Sequence, residues 1–143
     1  MGNLDNLYRQ VIMEHYKSPK NHGLIESDDY QTVHLHNPSC GDDIKVQIKV
    51  CNGVVTDVRH AGVGCSICCS SASVMSEAIK GHTIEEAEAI INNFLTMIKG
   101  EPFDESIDMQ DAVVYQGVAK FPARIKCATL AWKATKQAIE EKK

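Results

Sequence analysis

No stretch of this chain approaches the roughly 20 consecutive apolar residues that a membrane helix needs, so a helical span is not expected. No cluster of lysine and arginine stands out. Acidic residues outnumber basic ones, 19 to 15, for a net charge of −4, so nucleic-acid binding through a basic face is not expected either. Internal repeats, low-complexity segments and linker-like runs are all lacking, and residues 1–143 read as a single domain with one core. The first residues, Met1-Gly2-Asn3-Leu4-Asp5, lack the charged and apolar regions of a secretion signal. A cytoplasmic location is the expectation, and with it a reducing environment.

Cysteine is what the chain has in excess, with six in 143 residues. In a reducing compartment that count favours thiols, metal binding or redox chemistry over disulfides. Three cysteines stand at separate turns: Cys40 in Asn37-Pro38-Ser39-Cys40-Gly41-Asp42, Cys65 in Gly62-Val63-Gly64-Cys65-Ser66, and Cys127 after Phe121-Pro122-Ala123-Arg124-Ile125-Lys126. Their wide separation is not that of a zinc finger, so only a folded domain can gather them. Asp42 supplies a candidate fourth ligand. Three thiolates and a carboxylate make a tetrahedral zinc set with an unusual oxygen, which suits a site meant to open.

The periodicities predict where these residues sit. Leu4, Leu7, Tyr8, Val11, Ile12, His15 and Tyr16 recur at helical spacing, and Pro19 ends that helix near Lys17. Gln31 to Asn37 reads as a short strand. Ile44, Val46, Ile48 and Val50 alternate with polar residues in a second strand, and Asn52-Gly53 is a strong hairpin signal. Val54 to Val63 returns as the third, with Val54, Thr56 and Val58 on one face and Val55 and Asp57 on the other. Ser66 to Lys80 reads as a small-residue helix closed by Gly81. Thr83-Ile84-Glu85-Glu86 has capping-box form and opens a helix to about Lys99. A polar, loop-rich stretch and a short helix over Ala112 to Val118 follow. The last helix begins at Pro122, runs to about Glu140, and places Cys127, Leu130, Ala131, Ala134 and Ala138 on one face. The order predicts an α+β fold: a three-stranded antiparallel sheet with helices packed on one face, an N-terminal helix and a long C-terminal helix.

All three cysteines therefore fall near element ends. The partial positive charge of a helix N-terminus lowers the pKa of a nearby thiol, and thiolate is the form that binds zinc and attacks sulfur. Arg124, one helical turn before Cys127, is placed to stabilise an anionic site or steer Asp42. The remaining residues carry plainer readings. Cys51 ends an apolar strand and reads as a small buried hydrophobe, as do Cys68 and Cys69 among serines and alanines. His15 lies on the apolar stripe of the first helix and reads as a satisfied core residue. His34 and His36 read as surface or structural.

The chain resembles the SufU branch of the U-type iron–sulfur assembly proteins, relatives of IscU and of the N-terminal part of NifU. The residues that carry the resemblance are Leu7-Tyr8, the His15-to-Gly23 run, Asn37-Pro38-Ser39-Cys40-Gly41-Asp42, Gly64-Cys65-Ser66-Ile67 and Phe121 to Trp132. IscU-type proteins carry histidine directly before the third cysteine, where this chain has Lys126. They also have a shorter preceding segment and a Leu-Pro-Pro-Val-Lys run that is missing here. The resemblance implies zinc held by Cys40, Asp42, Cys65 and Cys127, with iron or an iron–sulfur cluster as the alternative occupant. It implies a zinc-dependent sulfurtransferase that takes persulfide sulfur from a SufS-type cysteine desulfurase on Cys40, and Gly41 would give that loop freedom to swing. A histidine of the partner would displace Cys40 from zinc. Downstream iron–sulfur assembly proteins would receive the sulfur. The alternative is a scaffold that assembles a transient cluster on Cys40, Cys65 and Cys127.

Overall fold

The computed structural model describes residues 2–38 and 41–142, so Cys40 lies outside the described residues. Helix α1 spans Gly2–Lys17, strands β1 Tyr30–Asn37, β2 Asp42–Cys51 and β3 Val54–Val63 follow, and then helices α2 Ser66–Ile79 and α3 Ile84–Ile98. A 3₁₀ helix over Gln110–Lys120 leads into the long helix α4, Pro122–Lys142. The sheet is an antiparallel meander in the order β1-β2-β3. Asn52 and Gly53 both take positive φ at the β2–β3 turn, the backbone that a tight hairpin with native twist requires.

One face assignment differs from the alternation. Lys49 pairs with Asp57 but Val50 pairs with Val55, so Thr56 is an extra residue on β3. This bulge turns both Val55 and Val58 into the core and leaves Thr56 exposed. A strict period of two carries no sign of an inserted residue.

The helices cover one side of the sheet, with α4 against β1 and β2 and α2 between α1 and α4. Helix α2 is central although Ser70, Ser71, Ser73 and Ser76 lie on it, all fully buried. Each hydroxyl has a partner, which removes the penalty of burying it. The Ser71 hydroxyl donates to the Ala128 carbonyl at 2.6 Å and accepts from the Trp132 indole at 2.9 Å. Ser70 and Tyr115 share a hydrogen bond of 2.6 Å. Small side chains let α4 come close, and Trp132 then stacks on Phe94 of α3 with ring centres 3.9 Å apart. The polar stretch 101–109 is loop, as expected, and the short helix after it packs inward: Ala112, Val114, Tyr115 and Val118 are buried, as is Met109 just ahead of it. Helix α3 opens on the expected capping box between Thr83 and Glu86.

Candidate metal centre

Three chain segments meet at one edge of the sheet. Asp42 is the first residue of β2 and is fully buried. Cys65 is the N-cap of α2, where an extended backbone (φ −70°, ψ 168°) lets its sulfur accept from the Cys68 amide at 3.5 Å. Cys127 lies in the second turn of α4 with only 2% of its surface exposed. One donor atom from each of Asp42, Cys65 and Cys127 falls within 4.8 Å of the others. Tetrahedral zinc with sulfur ligands at about 2.3 Å sets neighbouring donors about 3.8 Å apart, so contraction of ~1 Å at most completes the set. None of the five described cysteines is in a disulfide.

Local contacts hold the carboxylate in place. Asp42 Oδ1 accepts a hydrogen bond of 3.0 Å from the Cys65 amide, the first N–H ahead of α2. Gly64 makes that approach possible: a Cβ there would lie 2.5 Å from Asp42 Oδ1 and 3.3 Å from the Cys68 Cβ. In the sequence Gly64 stands only as the residue before Cys65. Its role is close approach, which depends on the position of β2 and leaves no trace in local spacing.

The donor set fits a divalent cation. Two sulfurs and a carboxylate brought together as anions repel one another, and with protons bound they are poor ligands. A divalent cation removes that conflict and holds both sulfurs as thiolates. Cys69 differs from this pair. It is half-buried, its thiol points at the Gly64 carbonyl at 3.7 Å, and burial first, then the charges of Cys65 and Asp42, push its pKa up. A thiol held protonated is a poor nucleophile. Cys69 lines a cavity of about 420 Å³ with Tyr16, His22, His60 and Val63. It is therefore not the buried packing residue expected, whereas Cys68 is fully buried. Cys51 also departs from expectation and is exposed, because it is the last residue before the Asn52-Gly53 turn.

Arg124 is exposed, one turn ahead of Cys127. Its charge reaches the Tyr8 phenol: burial pushes Tyr8 up, Arg124 opposes that, and Cys65 adds to it. Gly41 has a φ of 74° and donates its N–H to the Asn37 carbonyl at 2.9 Å, closing the β1–β2 turn beside Asp42. His15 is buried and hydrogen-bonded, as its place on the apolar stripe suggested. His34 and His36 are exposed, and both face Asp43.

An antiparallel meander under a helical layer, with cysteine and aspartate side chains gathered at the sheet edge, defines a small α+β protein with a candidate metal centre. The chain belongs to the family of the NifU-like N-terminal domain, whose model matches residues 7–128. It is 49% identical over 138 residues to the zinc-dependent sulfurtransferase SufU of Bacillus subtilis, covering 96% of this chain and 92% of that protein. It is 40% identical to the iron–sulfur cluster assembly scaffold protein IscU of Streptococcus pyogenes serotype M1, covering 98% and 87%. Among solved structures, it is similar to a candidate iron–sulfur cluster assembly scaffold protein for the SUF system from Fervidobacterium islandicum AW-1. That match has a TM-score of 0.83 and 33% identity and covers 93% of this chain and 96% of the other.

Proposed function

We propose that this protein serves iron–sulfur cluster biogenesis as a zinc-dependent sulfur acceptor, working in the cytoplasm with a SufS-type cysteine desulfurase. The observation that carries the reading is the convergence of Asp42, Cys65 and Cys127 donor atoms within 4.8 Å. Cys40, joined through Gly41 to Asp42 in the sequence, is the proposed fourth ligand and the nucleophile. Zinc, when bound, supplies charge that keeps the cysteines as thiolates at neutral pH.

The transfer itself is thiolate–disulfide chemistry. The Cys40 thiolate attacks the outer sulfur of the partner's cysteine persulfide. A sulfur–sulfur bond forms on Cys40, the partner's own sulfur–sulfur bond breaks, and the partner cysteine leaves as thiolate. Asp42 contributes a buried negative oxygen oriented by the Cys65 amide. Gly41, at positive φ, gives the loop a hinge. Arg124 offers a positive charge at the rim. Downstream iron–sulfur assembly proteins would then take the sulfur.

The test is a desulfurase reaction with cysteine, followed by intact-mass measurement. One added sulfur on Cys40, loss of acceptance in Cys40→Ala and retention in Cys51→Ala is the expected pattern. Full acceleration of the desulfurase by Cys40→Ala would remove Cys40 as nucleophile. The similarity to IscU proteins supports one second reading, a scaffold on Cys40, Cys65 and Cys127. An iron-loaded form with stable visible absorption that passes its cluster to an apo-acceptor would establish it instead.

A further inference from the structure

A second constellation lies where α1, α2 and the 3₁₀ helix meet. His15 of α1 is buried, with 3% of its side chain exposed, and its Nε2 faces two carboxylates. Asp111 Oδ2 stands 3.0 Å from that nitrogen and Glu77 Oε1 3.7 Å. One ligand atom from each of the three residues falls within 4.8 Å of the others. We propose that His15, Glu77 and Asp111 form a second site for a divalent transition-metal cation, with water completing its coordination.

Three features of the chain argue for it. The spacing is that of ligands around one ion: nitrogen and oxygen donors at about 2.1 Å from a metal sit about 3.0 Å apart in octahedral and about 3.4 Å apart in tetrahedral geometry. The two observed separations bracket those values. The imidazole is also pre-oriented from behind. Its Nδ1 lies 2.7 Å from the Ser73 hydroxyl oxygen, which also accepts from the Lys20 amide at 2.7 Å. Nε2 is within hydrogen-bond distance of Asp111 Oδ2, and an ion would take the place of a proton there, with Nδ1–H then donating to Ser73 as in metal-bound histidines whose other nitrogen is tied by a hydrogen bond. Charge points the same way. Two carboxylates face one imidazole here, and a divalent ion balances their two negative charges, which a single proton on the ring does not. Asp111 is 55% exposed and Glu77 36%, so an ion has a route in from solvent.

Such an ion would tie the 3₁₀ helix, and through it the start of α4, to the two helices behind the cysteine centre. The experiment is equilibrium dialysis of the full chain against about 100 µM free zinc, a concentration that fills sites of micromolar affinity, with bound metal counted by mass spectrometry. The wild-type protein should bind one equivalent more than Asp111→Asn or Glu77→Gln. His34→Asn should match wild type. Both carboxylates are partly exposed, so these variants keep their fold even if His15→Gln does not. In thermal melts, added zinc should raise the wild-type midpoint by more than that of Asp111→Asn. Equal metal binding by wild type, Asp111→Asn and Glu77→Gln would overturn the proposal. Because the readout is a difference between variants, it does not depend on what the cysteine centre holds.

Discussion

Replacing Gly64 by alanine should disable the cysteine centre without altering any ligand. The added Cβ would lie 2.5 Å from Asp42 Oδ1 and 3.2 Å from its Cγ. Ordinary carbon–oxygen contact is about 3.3 Å, so one side must give way by ~0.8 Å. Asp42 is fully buried and the neighbouring Cys68 Cβ is already 3.3 Å from the new atom, so the carboxylate has no open space to move into. The displaced carboxylate loses its 3.0 Å bond to the Cys65 amide. A hydrogen bond to a charged group is worth about 1.5–3 kcal/mol, which corresponds to roughly 10- to 100-fold in affinity if it is expressed wholly in metal binding. Zinc competition against a chromophoric chelator measures this directly. The paired control is Gly117→Ala, where the added Cβ meets nothing within 4 Å and affinity should be unchanged. Zinc affinity of Gly64→Ala equal to that of Gly117→Ala would refute the close-approach argument and, with it, the place of Asp42 in the site.

Other outcomes follow from single contacts. Burial drives His60 from 6.5 down to about 4, while its bond to the Lys20 carbonyl opposes the shift. The folded state therefore binds fewer protons than the unfolded one, and stability present above pH 6.5 is lost as pH falls toward 4, by up to about 3 kcal/mol. Denaturant midpoints across that range should fall more steeply for wild type than for His60→Gln, and parallel slopes would contradict this. Thr83→Ala removes the cap bond that accepts from the Glu86 amide at 3.1 Å and should cost about 1 kcal/mol in urea unfolding. Asp42→Ala should lower zinc content and sulfur acceptance together, and parental values of both would exclude Asp42 as a ligand. Cys69→Ser should leave sulfur acceptance intact, since burial keeps that thiol protonated, and a collapse in acceptance measured by mass would give Cys69 a direct role.

Local chemistry was enough to read most of the architecture. Alternation marked β2, Asn52-Gly53 marked the hairpin, and Thr83 and Glu86 marked the start of α3, because each signal depends on neighbours a few residues apart. The cysteine contexts likewise pointed to Cys65 and Cys127, and Asp42 stood out by its place beside Cys40-Gly41. What spacing cannot carry is distance between remote segments. The bulge at Thr56, the exposure of Cys51, the Gly64 approach to Asp42 and the cavity beside Cys69 all depend on how β2, β3 and α2 settle against one another. The same holds for His15, whose partners come from positions 77 and 111 on two other elements. Sequence alone thus determined the elements and marked Cys40, Asp42, Cys65 and Cys127 as candidate ligands, since both follow from short-range patterns. Only the tertiary structure decided which of those residues share a site, because packing across tens of residues places the side chains next to one another.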